Sequence, residues 1–157
     1  MKMIQWLMVS ATLAIGMATP ASAGINDPEI IIYRFPGVRD NGGNPGAGVA
    51  TVFHCTNFSG ATENIRFATR DAGGTLGSNM TILIDHLTTR NASTHLNAAY
   101  NSDLNLDTLA LNSGTTAIAA TSINIICTAE TIDASTAVPI GVARRGIRFN
   151  PVPGSQE

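Results

Sequence analysis

The sequence predicts an all-β protein, an antiparallel β-sandwich of about seven or eight strands. First, short segments of alternating apolar and polar residues recur at intervals of about ten residues, with turns that contain glycine or asparagine between them. Second, the chain is rich in Thr, Asn, Ala, Gly and Ile and poor in long charged side chains, which favours pleated strands over exposed helices. Third, each of the two cysteines lies on the more apolar face of an alternating segment, as core-facing strand residues do.

Residues 1–23 are predicted to be a cleavable secretory signal peptide. Lys2 supplies a positive charge, residues 4–17 form an apolar stretch, and Ala21-Ser22-Ala23 provides small residues before a cut at Gly24. The apolar stretch is too short to span a bilayer in the usual way, so no membrane span is expected after cleavage. Residues 24–157 are then expected to form a single β-sandwich domain with short extended ends, exported to the periplasm or the extracellular space.

In the first half of the chain, local patterns predict several strands. Residues 29–35 are largely β-branched and are expected to end at Pro36-Gly37, and residues 40–48 are predicted to be a flexible glycine-rich loop. Residues 63–69 alternate apolar side chains with charged or small ones. Residues 79–85 form a compact apolar run, which also predicts a strand.

The second half of the chain is predicted to add three more strands besides the one that contains Cys127. Residues 88–95 are predicted to be a polar edge strand, and 115–120 are expected to pair with 123–131 as a hairpin. Residues 140–149 are expected to close the domain. The segment 96–111 fits either a short helix or two irregular strands, and the sequence leaves both open.

The two cysteines are predicted to form one disulfide. In residues 49–56 the face of Cys55 also carries Val49, Thr51 and Phe53, and in residues 123–130 the face of Cys127 carries Ile123, Ile125 and Ala129. An even number of cysteines in an exported chain favours a disulfide. Two core-facing cysteines on different strands predict a bridge between the two sheets.

The predicted mature chain is mildly acidic. Removal of residues 1–23 takes away the one lysine and leaves eight arginines, eleven carboxylates and a net charge of −3. No basic tract is present, so nucleic acid is not an expected partner. The one local cluster of positive charge is Arg144, Arg145 and Arg148, which is suited to hold an acidic partner or glycan or to pair with carboxylates on neighbouring strands.

Parts of the chain resemble a known architecture. The run NFSGATENIRFATRDAGGTLGSNMTILIDHLTTRNASTH resembles the middle of exported bacterial Ig-like or fibronectin-like sandwiches, and FHCTN with GIRFNPVPGSQE resembles a group of small uncharacterised secreted bacterial proteins. The resemblance implies an Ig-like sandwich and export, but no activity. The chain departs from antibody domains, because its predicted mature part has no Trp and Ile125 stands where those domains place a Tyr.

Two sets of side chains are candidate metal ligands. His54, His86 and His95 would make a copper or zinc site if the fold brought the three imidazoles together, although their spacing places no two of them on one face of one element. Asp103, Asn105 and Asp107 put three oxygen-bearing side chains on one face of an extended segment and are a candidate calcium site. The alternatives are unrelated surface histidines and an ordinary solvated strand face. No resident cofactor is expected.

No catalytic residues are assigned, because the chain contains neither a GxSxG elbow nor a free cysteine nucleophile if the disulfide forms. The first hypothesis is a non-enzymatic exported structural or binding module at or near the cell surface, with another surface protein or a glycan as partner. The alternatives are a small periplasmic copper- or zinc-binding protein and a pilus-like subunit that assembles by strand exchange. The sequence leaves the oligomeric state open.

Overall fold

Ten strands build the fold in the computed structural model, which describes residues 28–42 and 46–149. The strands are β1 Ile30–Asp40, β2 Val49–Asn57, β3 Glu63–Arg70, β4 Leu76–Ile84, β5 Thr89–Ser93, β6 Leu104–Asn105, β7 Leu111–Ala120, β8 Ile125–Asp133, β9 Gly141–Arg144 and β10 Ile147–Arg148. Sheet A has the order β10-β1-β7-β3-β4, and sheet B has the order β6-β5-β2-β8-β9. The pairs within the two sheets are antiparallel except β5 with β6, which is parallel.

A row of aromatic rings fills the space between the sheets. Tyr33, Phe35, Phe53 and Phe67 form a chain in which neighbouring ring centroids lie 5.5–5.8 Å apart. Phe53 comes from sheet B and the other three come from sheet A, so the chain joins the two layers. All four are buried, and aromatic side chains bury enough apolar surface to dominate the stability of a small core. The predicted all-β sandwich is therefore confirmed.

The predicted disulfide is confirmed, but its predicted position between the sheets is wrong. Cys55 on β2 and Cys127 on β8 are bonded and lie directly opposite each other within sheet B, with their Cα atoms 4.2 Å apart. Each cysteine does face the core, as the alternation predicts. Burial on one face cannot distinguish a partner across the core from a partner on the next strand, because both arrangements place the two side chains on an apolar face.

The predicted hairpin of 115–120 with 123–131 is also wrong. β7 lies between β1 and β3 in sheet A, whereas β8 lies between β2 and β9 in sheet B. The short link between them therefore crosses from one sheet to the other. Thr121 donates its backbone N–H to the carbonyl of Asn64 at 3.2 Å, which holds the link against sheet A. Strands that are adjacent in sequence often pair, but a link of this length also allows an arch.

Two predicted strand boundaries move for local reasons. β1 continues through Pro36-Gly37 to Asp40, with register shifts on both sides of Val38. Proline is tolerated where a bulge interrupts the ladder. The predicted strand 140–149 is two strands, since β9 pairs in sheet B and β10 pairs in sheet A. A Cβ atom at Gly146 would lie 2.4 Å from the Phe35 ring, so the chain changes sheets where it has no side chain.

The ambiguous segment 96–111 contains no helix. It holds the two-residue strand β6 and the first residue of β7, and the rest is irregular, with Ala99 and Tyr100 on the outer face of sheet B and Leu106 in the main core. Ala99 and Tyr100 pack there against a second, smaller apolar cluster, which consists of Ala50, Val52, Ile132 and Ala134. Sheet B is therefore covered on both faces over part of its area, which explains why adjacent residues of β2 are buried on opposite sides. The predicted signal peptide lies outside the described residues.

Candidate functional site

His54 lies on the outer face of sheet B, opposite in direction to Cys55, as the strand alternation predicts. Its Nδ1 lies 2.8 Å from Oδ1 of Asn91 on β5, and its Nε2 lies 3.4 Å from Oε1 of Glu130 on β8. The Tyr100 ring meets the His54 ring edge to face at 4.6 Å, and its hydroxyl donates to the same Glu130 oxygen. These four side chains, the Tyr100 network, fasten the irregular segment to sheet B.

The Glu130 carboxylate controls the ionisation of Tyr100. The hydrogen bond from the tyrosine hydroxyl to Glu130 raises the pKa of Tyr100 from 10.0 to about 12, with smaller contributions from burial and from the charge of Glu130. Because the folded-state pKa is the higher one, the bond stabilises the folded chain below about pH 10. That stabilisation is lost as the pH rises towards the folded-state value.

We expect this shift to be visible in a spectrophotometric titration of tyrosinate. The chain has two tyrosines, Tyr33 and Tyr100. The difference between the titration curves of the unsubstituted chain and of Tyr100→Phe isolates Tyr100 and is expected to have its midpoint near pH 12. Glu130→Gln is the matched control and should move that midpoint down, because the amide carries no charge. A midpoint near the ordinary value in the unsubstituted chain would contradict the network.

His95 is buried near the start of β2, where its ring contacts the side chain of Asp40. Its Nδ1 lies 2.8 Å from Oδ1 of Asp40, and its Nε2 lies 3.0 Å from the carbonyl oxygen of Ala47. Asp40 also accepts hydrogen bonds from the Gly42 backbone N–H at 2.7 Å and from the Thr108 hydroxyl at 3.0 Å. Both ring nitrogens therefore lie at hydrogen-bond distance from a fixed oxygen, which holds the His95 ring in place. These contacts tie the glycine-rich loop to the sandwich.

The structure does not bring the three predicted histidine ligands together. His86 lies in the exposed turn between β4 and β5, where its Nδ1 accepts from the Gly60 backbone N–H at 3.0 Å. His54 and His95 have the separate partners given above. Within residues 28–42 and 46–149, no group of three or more His, Cys, Asp or Glu side chains is arranged to hold a metal ion. Copper or zinc binding by these histidines stays a prediction.

The candidate calcium ligands are engaged with protein groups. Asp103 accepts from Arg90 Nη1 and from the Asn91 backbone N–H, both at 2.8 Å. Asn105 donates its amide to Oδ1 of Asp107 at 2.7 Å. The segment is not extended throughout, because Asp107 has a positive φ of 46° that ends the alternation on which the shared face depended. Calcium binding here stays a prediction.

The basic cluster near the carboxyl end is divided by the change of sheet. Arg144 on β9 donates to the Thr131 hydroxyl at 2.7 Å. Arg148 on β10 donates to the Ile123 carbonyl at 2.8 Å and lies over the Tyr33 ring. Arg145 is exposed between them. The partners of Arg144 and Arg148 are therefore a hydroxyl and a carbonyl, whereas the sequence had suggested carboxylates on neighbouring strands.

A groove on the outer face of sheet A was not predicted. It runs along β7 with a volume of about 190 Å³, and β1 and β3 form its sides. Arg34 lies on one side, Arg66 and Arg70 lie on the other, and the floor is built from small side chains of β7. The residues that line this arginine groove are Ile31, Arg34, Arg66, Ala68, Arg70, Thr115, Ala117 and Ala119.

Sheet register explains how three arginines distant in sequence come together. Ala117 on β7 is opposite both Arg34 and Ala68, Ala119 is opposite Arg66, and Thr115 is opposite Arg70. The two sides of the groove are therefore two strand spacings, or roughly 10 Å, apart at the backbone. Arg66 and Arg70 are four residues apart on β3, or roughly 13 Å.

Local contacts hold the guanidinium groups in place. Arg66 donates from Nε to Glu29 and from Nη1 to Oδ1 of Asn79, the latter at 3.1 Å. Arg70 donates from Nη1 to the Gly74 carbonyl at 2.9 Å. Arg34 lies over the Phe149 ring at 5.7 Å. Since a guanidinium group has five N–H donors, the bonds described for Arg66 and Arg70 each use only part of that capacity.

The groove has the chemistry of an anion-binding surface. Its eight lining residues offer guanidinium donors and one hydroxyl, and they include no carboxylate, imidazole or thiol that could act as a general acid, a general base or a nucleophile.

The described residues contain no helix with the length and apolar character needed to cross a membrane. Comparison with known proteins finds no matching family model, no similar curated protein and no similar solved structure.

Proposed function

We propose that this chain is a non-enzymatic, exported binding module at or near the cell surface, and that its arginine groove binds an acidic glycan. The observation that supports the proposal is the placement of Arg34, Arg66 and Arg70 around a floor of small side chains. The ligand groups would be carboxylates or sulfates, because the planar guanidinium fork pairs with such oxyanions through two parallel hydrogen bonds.

The dimensions of the groove favour a polymer over a single small anion. The three arginines are separated at the backbone by roughly 10 to 13 Å, a spacing that suits successive charged groups along a chain. Ala117 and Ala119 leave the floor low, so an extended ligand can approach the backbone of β7 closely. Several weak, exposed ion pairs then act together, since each one alone contributes about 1 kcal/mol or less.

The predicted signal peptide, the disulfide and the lining of the groove support the exported and non-enzymatic parts of the proposal. The predicted signal peptide supports export, and so does the disulfide, because disulfides persist in oxidising compartments such as the periplasm and the extracellular space. The groove lining supports a binding role, since none of the eight lining side chains is a carboxylate, an imidazole or a thiol. A periplasmic copper or zinc protein and a pilus-like subunit remain alternative hypotheses.

The experiment measures binding of the chain to polygalacturonate and dextran sulfate, with uncharged dextran for comparison. The protein is expressed with its leader, and its mass reports whether residues 1–23 have been removed. We expect binding to both acidic polymers, none to dextran, and weakening at high salt because exposed charges are screened. The triple variant Arg34→Gln, Arg66→Gln, Arg70→Gln should bind at least about tenfold more weakly, which corresponds to about 1.4 kcal/mol.

A matched control separates the groove from net charge. The variant Arg144→Gln, Arg145→Gln, Arg148→Gln loses the same three charges on another part of the surface, and we expect it to bind within about twofold of the unsubstituted chain. Equal weakening of both triple variants would assign the binding to overall charge. No binding of the unsubstituted chain to either acidic polymer would refute the proposed ligand. Near-ultraviolet circular dichroism checks that both variants are folded.

A further inference from the structure

The edge of sheet A is formed by β4. This nine-residue strand pairs with β3 on one side, and the sheet order places no described strand on its other side. In an antiparallel ladder, the backbone groups that do not bond to the inner neighbour point outwards. Such a row of N–H and C=O groups is a template for another strand. The other three sheet edges are shorter, since β6, β9 and β10 have two, four and two residues.

Two of the features that usually protect an edge strand, charged residues and proline, are lacking in β4. Its sequence, LGSNMTILI, contains no charged residue and no proline, although lysine, proline and bulges are the common means of blocking strand addition. The pairing with β3 is regular from Glu63 opposite Ile84 to Thr69 opposite Ser78, and its one register shift lies beyond that, at Arg70. A regular strand of this length can accept a partner along most of its length.

Apolar surface is exposed on both faces of this edge. Met80 is opposite the buried Phe67 and therefore lies on the core side, yet 36% of it is exposed. Leu83 lies on the outer side, next to Asn64, and 49% of it is exposed. Leu76 at the start of the strand is 44% exposed. A strand placed beside β4 would cover apolar side chains on both faces and pair the backbone at the same time.

The charges at the two ends of β4 indicate which strand fits. Arg70 is opposite Leu76 at the start of β4, and Asp85 directly follows Ile84 at its end. When two copies of β4 pair antiparallel about Thr81, Asp85 of each copy lies opposite Gly77 of the other, two strand spacings or roughly 10 Å from Arg70 of that copy. Arg70 and Asp85 both alternate onto the outer face, so their side chains lie on the same side of the joined sheet. A parallel pairing would bring like charges together instead.

We propose that the protein forms a two-fold symmetric dimer in which β4 pairs antiparallel with β4 of a second copy. The pairing is centred on Thr81, so that Met80 of one copy lies opposite Ile82 of the other on the core side. The two five-stranded A sheets then form one ten-stranded sheet. This contact is isologous, and it closes after two copies. The dimer does not depend on what the arginine groove binds.

Sedimentation equilibrium of the unsubstituted chain tests the proposal. We expect a concentration-dependent particle of twice the mass of one chain. Thr81→Glu should raise the dimer dissociation constant at least tenfold, because two carboxylates then lie directly opposite each other at the symmetry axis. Within one copy, the new carboxylate lies opposite Arg66, so the substitution is not expected to disturb the fold. Val142→Glu adds the same charge to the exposed edge strand β9 of sheet B and should leave the dimer intact.

Cross-linking gives a second measurement. The two native cysteines are bonded to each other, so Thr81→Cys introduces one free thiol per chain. In the proposed register these thiols are opposite each other and should form a covalent dimer under mild oxidation, whereas Val142→Cys should not. A chain that stays monomeric at all concentrations would overturn the proposal. So would a dimer that Thr81→Glu leaves unchanged, or one that both glutamate variants weaken equally.

Discussion

Replacing Asp40 with alanine is expected to lower the free energy of unfolding by about 3–5 kcal/mol, because its buried carboxylate loses three hydrogen bonds and a buried donor left unpaired costs about 1–3 kcal/mol. Asp40 is 2% exposed and accepts hydrogen bonds from the His95 ring, the Gly42 backbone and the Thr108 hydroxyl. Alanine would leave the buried His95 ring without its carboxylate and two further donors without an acceptor. Each buried donor left unpaired adds its own desolvation cost.

Urea denaturation at constant pH measures this loss. The matched control is Glu29→Ala, which removes the carboxylate of the more exposed ion pair with Arg66 and should cost about 1 kcal/mol or less. A similarly small loss for Asp40→Ala would show that the contacts of Asp40 contribute little to stability. Asp40→Asn keeps the size of the side chain and removes its charge. We expect its loss of unfolding free energy to lie between the losses of Asp40→Ala and Glu29→Ala.

Replacing Cys55 and Cys127 together with alanine is expected to cost about 4 kcal/mol, since chain-entropy theory assigns roughly that value to a closed loop of 72 residues. The effect arises mainly in the unfolded chain. In the folded chain β2 and β8 pair at nine successive positions, from Val49 opposite Asp133 to Asn57 opposite Ile125. The ladder and the aromatic core are therefore expected to keep the two strands together without the sulfur link.

Denaturation with and without a thiol reductant provides the comparison. Reductant should lower the midpoint of the unsubstituted chain towards that of the double variant and leave the double variant unchanged. The non-reduced, unfolded protein should show no free thiol. A loss of under about 1 kcal/mol in the double variant would mean that the bond adds little constraint to the unfolded chain.

The fold could be predicted where apolar and polar side chains alternate along a strand. The alternation around Cys55 and around Cys127 correctly indicates β2, β8 and the faces on which both cysteines lie. A two-residue period reports which side chains face the core, but not which strand lies alongside. The sequence therefore predicted the strands and the bonded cysteines, while the placement of β7 and β8 in different sheets depends on tertiary packing that no local pattern contains.

The candidate site depended on the same missing information. The histidines drew attention because imidazole is a common metal ligand, but each has its own partners in a different part of the sandwich. Arg34, Arg66 and Arg70 lie on the outer faces of their strands, as the alternation of apolar and polar residues in β1 and β3 indicates. Their convergence requires β7 to lie between β1 and β3, which only the sheet order reveals.

The bond between Cys55 and Cys127 also makes the middle of this chain a closed covalent ring. Strands β3 to β7 all lie between the two half-cystines. A single cut in an exposed turn of that ring, such as Asp71–Gly74, opens the ring but releases no fragment, because both new ends remain attached through sulfur. Release requires a second cut within the ring or reduction of the bond. A chain nicked once anywhere along these 72 positions therefore keeps all ten strands in one molecule.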